Sequence, residues 1–137
     1  MFFQRLFKKQ GTQAPSHSFL DAYARKAMYF VRIKRWDWLN EKQIYVADKI
    51  DGKPKMITME FWAQEIYLDA NGQITVEELI LTACQQYKKS KMEIPPNIDK
   101  VLIDCLESLV FEEKIIAFKE KKTALPKNIE LAISKHT

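Results

Sequence analysis

The sequence predicts a small α+β domain in which a short antiparallel sheet packs on three or more helices. Three observations carry this. Gln43 to Ile50 alternates in polarity and runs into Asp51-Gly52, a dipeptide that favours a two-residue hairpin turn. Thr75-Val76-Glu77-Glu78 is a capping box, so a helix starts at a defined residue. After Pro95-Pro96 a further apolar stripe recurs at spacings of three and four. With only three glycines, the chain does not read as loop-rich or all-β.

Taken in order, residues 1–18 form an N-terminal basic and aromatic extension, and residues 19–137 form a single winged-helix-like domain with a C-terminal tail. In Met1 to Lys9, the side chains of Phe2, Phe3, Leu6 and Phe7 share one helical face opposite Arg5, Lys8 and Lys9. Such a face can touch an anionic membrane surface or pack on its own domain. Gly11 to Ser18 reads as linker. Phe19 to Met28 has helical spacing, after which Tyr29, Val31 and Ile33 alternate as in a strand, although helix could continue to Trp38. The second arm of the hairpin is Met56 to Thr58, and Pro54, which lacks an N–H, belongs at the start or edge of that strand.

Met59, Trp62 and Ile66 return to helical spacing and stop before a turn at Asp69 to Gly72. The second helix runs from Val76 to Tyr87, with Val76, Leu79, Ile80, Ala83, Cys84 and Tyr87 on its buried face. Lys88 to Pro96 is a basic loop, and Asn97 is placed to cap the third helix. That helix has a stripe of Ile98, Val101, Leu102, Cys105, Leu106 and Leu109. Lys114 to Lys119 reads as a short strand, and Pro126 is placed to open a last helix with Ile129, Leu131 and Ile133.

Composition narrows function. No apolar run reaches spanning length, and the first residues lack the core and cleavage site of a signal peptide, so a cytoplasmic protein is expected. Cys84 and Cys105 fall on helix stripes, as buried reduced thiols do. His17 and His136 lie near the two ends, so no Cys/His ligand set is visible. Residues 1–55 carry 12 Lys+Arg against 5 Asp+Glu, whereas residues 56–137 carry 10 against 13. The basic character is therefore N-terminal.

Four constellations bear on chemistry. Asp69, Asn71, Gly72, Ile74 and Glu78 match half of a calcium loop, but Tyr67 stands where the first carboxylate is needed, so no metal is expected. Three helices followed by a strand suggest a winged helix-turn-helix. Its third helix, however, would show a nucleic acid Asp99, Asp104 and Glu107 against Lys100 alone, the wrong sign for phosphate. Trp36 and Trp38 lie among Lys34 and Arg35, where they can stack bases or close the edge of a core. Glu77-Glu78 and Glu112-Glu113 are ordinary solvated pairs. With no nucleophile elbow, phosphate loop or His–carboxylate pairing, no enzyme and no cofactor are expected.

Leu68, Gly72, Thr75, Glu78 and Leu79 stand in a Leu-turn-Gly-x-x-Thr-x-x-Glu-Leu junction between strands and helices. Over residues 43–118 this arrangement resembles the PqqD-like family, the peptide-recognition winged helices of ribosomal-peptide maturation. The resemblance implies a three-stranded sheet on three helices, with no cofactor. It also implies that an extended leader peptide adds to the sheet edge beside the third helix. Carried over, the edge strand is Lys55 to Thr58 and the helix is Ile98 to Val110. The peptide-binding residues are then Lys55, Ile57, Thr58, Ile103, Leu106 and Val110. Ile103, Leu106 and Val110 form a row that reads either as a well-buried flank or as one wall of an apolar groove. The expectation is a peptide- or protein-binding adaptor that presents a precursor to a modifying enzyme. The alternatives are a nucleic-acid-binding winged helix and a membrane-surface accessory protein.

Overall fold

The structure, a computed structural model, describes residues 17–135; the N-terminal amphipathic pattern and most of the linker lie outside them. The fold is α+β. The helices are α1 (Ser18–Ala22), α2 (Phe61–Asp69), α3 (Val76–Lys89), α4 (Ile98–Glu107) and α5 (Lys127–Glu130). The strands are β1 (Tyr29–Arg32), β2 (Trp36–Trp38), β3 (Ile44–Ile50), β4 (Lys53–Thr58), β5 (Asn71–Thr75) and β6 (Ile116–Lys119). They form two antiparallel three-stranded sheets, β2-β3-β4 and β5-β1-β6, rather than the one sheet that the resemblance implied.

The hairpin β3–β4 forms as the alternation required. Asp51 and Gly52 both take positive φ, 53° and 78°, the geometry of a tight turn that matches strand twist. Ile44, Val46 and Ile57 turn inward from this sheet. They join a single apolar cluster with Phe30 and Ile116 of the other sheet and with Ile66, Tyr67, Val76, Ile80, Leu102, Ile103 and Leu106 of the helices.

The α3 start is as the capping box dictates. Thr75 Oγ1 accepts the Glu78 N–H at 3.2 Å, and Glu78 Oε1 accepts the Thr75 N–H at 2.9 Å. The next orphan donors find tertiary partners: Val76 N–H donates to the Met28 carbonyl and Glu77 N–H to the Lys26 carbonyl, each at 3.0 Å. This explains one departure from the sequence reading. The helix expected over Phe19 to Met28 stops at Ala22, because the carbonyls of the following segment are recruited by α3.

Two further expectations change. Asn71-Gly72 is not a turn; it lies in β5, which pairs irregularly with β1. Gly72 has φ +77° there, and its carbonyl accepts the Thr123 N–H at 2.9 Å. On α4, Asn97 makes no side-chain cap, and the buried face is rotated. Ile98, Asp99, Leu102, Ile103 and Leu106 are buried, while Val101 is 41% exposed and Cys105 half-buried. On this rotated face the carboxylate of Asp99 accepts the Leu20 N–H at 3.0 Å and so ties α1 to α4.

The C-terminal segment is strapped across the sheets by polar contacts. Arg32, itself buried, donates Nε to the Ile129 carbonyl at 3.2 Å and Nη2 to the Glu130 carbonyl at 3.1 Å. Trp36 Nε1 donates to the same Ile129 carbonyl at 2.8 Å. Ser134 donates N–H and O–H to the Asp37 carboxylate at 3.0 and 2.8 Å. Pro126 precedes α5 rather than opening it, and the buried side chain of the tail is Ala132, not Leu131.

Candidate peptide-binding edge

The structure divides the expected site in two. Ile103 and Leu106 have no exposed surface, Ile57 is 8% exposed, and Val110 is half-buried against the same cluster. The flank of α4 is therefore core, and the expected open groove between it and the edge strand is filled by the protein's own side chains. Of the two readings of this row, the buried flank holds at Ile103 and Leu106, and Ile103→Asp would bury an unpaired charge and damage the fold.

Lys55 and Thr58 are exposed, and they belong to a strand with a free side. Among the described residues β4 pairs with β3 alone and forms an edge of its sheet. The register fixes which backbone groups face out. A two-residue turn makes Ile50 and Lys53 a hydrogen-bonded pair, so bonded pairs recur at Asp48–Lys55 and Val46–Ile57. The intervening residues Pro54, Met56 and Thr58 then point their backbone groups away from β3. Two observations agree with this parity. Pro54, which has no N–H to offer, occupies an outward position, and the N–H of Ala47, opposite Met56, turns to the Arg35 carbonyl on the other side of β3 at 2.8 Å. Met56 and Thr58 thus each present an N–H and a C=O to a partner. Met56 lies within the expected edge strand but was not among the named peptide-binding residues, although Pro54 could have revealed the parity.

Cations gather around this edge. Lys53 and Lys55 are exposed on one face of β4. Behind its start lies a groove of about 480 Å³ whose walls include Lys34, Arg35, Lys49, Pro54 and Ile129. Asp48 balances part of the charge. The Lys49 N–H, then Lys34 at 3.1 Å, hold its carboxyl below the usual range.

Beyond β4, the side chains of Phe61 (65% exposed) and Met92 (55%) flank Trp62 and Tyr87 around a shallow apolar hollow of about 250 Å³. The Trp62 and Tyr87 rings lie 5.9 Å apart. Helical periodicity had placed Trp62 and Tyr87 in the core, and both sit at its margin.

The acidic residues of α4 are engaged within the protein. Asp99 is buried, Asp104 pairs with Lys100, and Glu107 accepts the Tyr23 hydroxyl at 2.8 Å and lies 3.5 Å from Arg25. Burial, reinforced by Glu107, pushes the Tyr23 phenol up to about 12. The half-loop that resembled a calcium site is strand and capped helix, with Glu78 engaged at Thr75 and Asn71 Oδ1 accepting the Gln73 N–H. Burial pushes the thiols up, Cys84 to about 12 and Cys105 to about 11, so both are poor nucleophiles.

Compared with protein-family models, curated proteins and solved structures, the chain matches none.

Proposed function

We propose that this protein is a winged-helix-like adaptor that binds an extended peptide or protein segment by strand addition to β4. The observation that carries the reading is the outward backbone of Met56 and Thr58 on an edge strand that has β3 on one side and no strand on the other among the described residues. Main-chain hydrogen bonds supply affinity in this mode and alternate side chains supply selectivity. The order α2-β5-α3-α4-β6 supports the winged-helix part: helix, strand, two helices, strand, with β1 completing the sheet. The resemblance to PqqD-like proteins extends the reading to presentation of a precursor peptide to a modifying enzyme, with no chemistry performed by the adaptor. We assign the module to the cytoplasm, which suits two free thiols; no helix among the described residues is long and apolar enough to cross a membrane.

The test is a selection of binders from a displayed library of unstructured peptides, followed by amide hydrogen exchange on the full chain. Bound peptide should slow exchange at Met56 and Thr58, and Met56→Pro should weaken binding while the protein stays folded. Binders that leave both amides unprotected and survive Met56→Pro would refute strand addition.

A further inference from the structure

We infer that the segment added to β4 is acidic, with the pattern Asp/Glu–x–Asp/Glu–apolar when read in the direction of β4; this rests on the strand-addition reading above. The side chains of Lys53 and Lys55 project from one face of β4, and Met56 projects from the other. An added strand places a residue directly opposite each of these, and directly opposed residues share a face. The residues opposite Lys53 and Lys55 are therefore two apart on the incoming chain, and carboxylates there meet ammonium groups. The residue between them lies opposite Pro54, whereas the one just beyond the residue opposite Lys55 meets Met56, which is 56% exposed, and an apolar side chain there covers it.

The surroundings favour the same sign. Arg35 and Lys49 stand in the groove behind the start of β4, and Lys34 there is already paired with Asp48. A second copy of this chain is a poor occupant, because its own Lys53, Pro54 and Lys55 would be set against the first. Like charges and a missing N–H are the devices by which an edge strand resists its own kind. The same lysines that repel a copy attract an acidic segment, so the edge is selective rather than closed.

The experiment uses the full chain and three fluorescent probes: a nine-residue peptide alternating Glu and Val, its Lys–Val counterpart, and an oligouridine of equal charge to the first. Anisotropy is read at low and high salt, with Lys53→Glu/Lys55→Glu and Met56→Pro as variants. The Glu–Val peptide should bind at least about tenfold more tightly than Lys–Val at low salt, with the gap narrowing as salt screens the exposed charges. The charge-reversed variant should invert the preference, and Met56→Pro should weaken both peptides. Thermal melts check that each variant folds, and hydrogen exchange of the wild type at Met56 and Thr58 gives a readout that needs no variant. Equal binding of both peptides with continued sensitivity to Met56→Pro overturns the acidic preference and leaves strand addition standing. Glu–Val binding that ignores Met56→Pro and leaves the Met56 and Thr58 amides unprotected overturns both. Oligouridine displacing the peptide from the same lysines overturns the proposal in favour of nucleic acid.

Discussion

The sheet β2-β3-β4 is made of strands that follow one another in the chain, whereas β5-β1-β6 gathers its strands from Tyr29 to Lys119. The first keeps an open outer edge at β4; the second has β5 covered by the tail, where Thr123 meets Gly72. One sheet is local and open at β4, and the other is assembled from distant segments and covered at its β5 edge. The difference teaches where function can sit. An edge made by a hairpin can be left open for a partner, because closing the fold does not depend on it.

Two glycines sharpen the contrast most. Both take positive φ, but a Cβ at Gly72 would lie 2.0 Å from the Thr123 carbonyl oxygen and 2.6 Å from Val31 Cγ1, while one at Gly52 would meet nothing within 4 Å. Gly72→Ala should cost about 4 kcal/mol or more in urea denaturation, combining strain with a backbone clash. Gly52→Ala should cost only about 1–2 kcal/mol, the left-handed backbone alone. Equal losses would break the comparison.

Prolines scanned along β4 come next. At Ile57 a proline removes an N–H that bonds to β3 and should cost about 3 kcal/mol. At Met56 it removes only an outward N–H, as Pro54 already does, and should cost under about 1 kcal/mol by thermal melt. A larger loss at Met56 than at Ile57 would reverse the parity and the edge with it.

Thr75→Ala should cost about 1 kcal/mol by loss of the cap. Its effect should show as faster hydrogen exchange in the first turn of α3, with the β3–β4 hairpin unchanged.

Acidification gives the smallest effect and runs with opposite sign in the two regions. At Asp37 burial pushes upward, but hydrogen bonds from the Trp38 N–H and from Ser134 outweigh it, so the carboxyl lies below its ordinary range. Asp48 lies low as well. A folded value below the unfolded one gives stability that is present above about pH 4 and lost as pH falls through the folded value. Asp69, which precedes β5, is raised by burial and by Glu65, so its charge opposes folding at neutral pH and its protonation relieves this. Hydrogen exchange between pH 6 and pH 3, corrected for intrinsic rates, should loosen the Ser134 tether first. Loosening around Asp69 before Ser134 would contradict the assignment.

The same division explains what the sequence made legible. The hairpin and the α3 cap depend on neighbours within a few residues, and Asp51-Gly52 and Thr75 with Glu78 announce them. The second sheet was not legible as a unit, because nothing in Asn71-Gly72 says that β1 and Thr123 lie on either side of it. The α4 face differs by one position from the sequence pattern, because the buried Asp99 carboxylate meets, besides the neighbouring Lys100 N–H, the Leu20 N–H of a distant helix. At the candidate site, Lys55 and Thr58 came from the strand pattern, whereas the burial of Ile103 and Leu106 depends on what packs over them.

Arg32 has a consequence for how the chain is made. Its guanidinium lies in a nearly closed space and is shared among the carbonyls of Leu68, Ile129 and Glu130. While the protein emerges from the ribosome, the hairpin and then α2 can form, but two of those carbonyls lie 97 and 98 residues further along the chain than Arg32. Until they arrive the cation is short of partners, and burying it costs free energy. The central strand β1 also waits for β6 before both its sides are paired. Completion of the interior is thereby deferred until residues 116–130 have been made, and a nascent chain stopped before residue 116 would hold a formed hairpin beside an unfinished sheet.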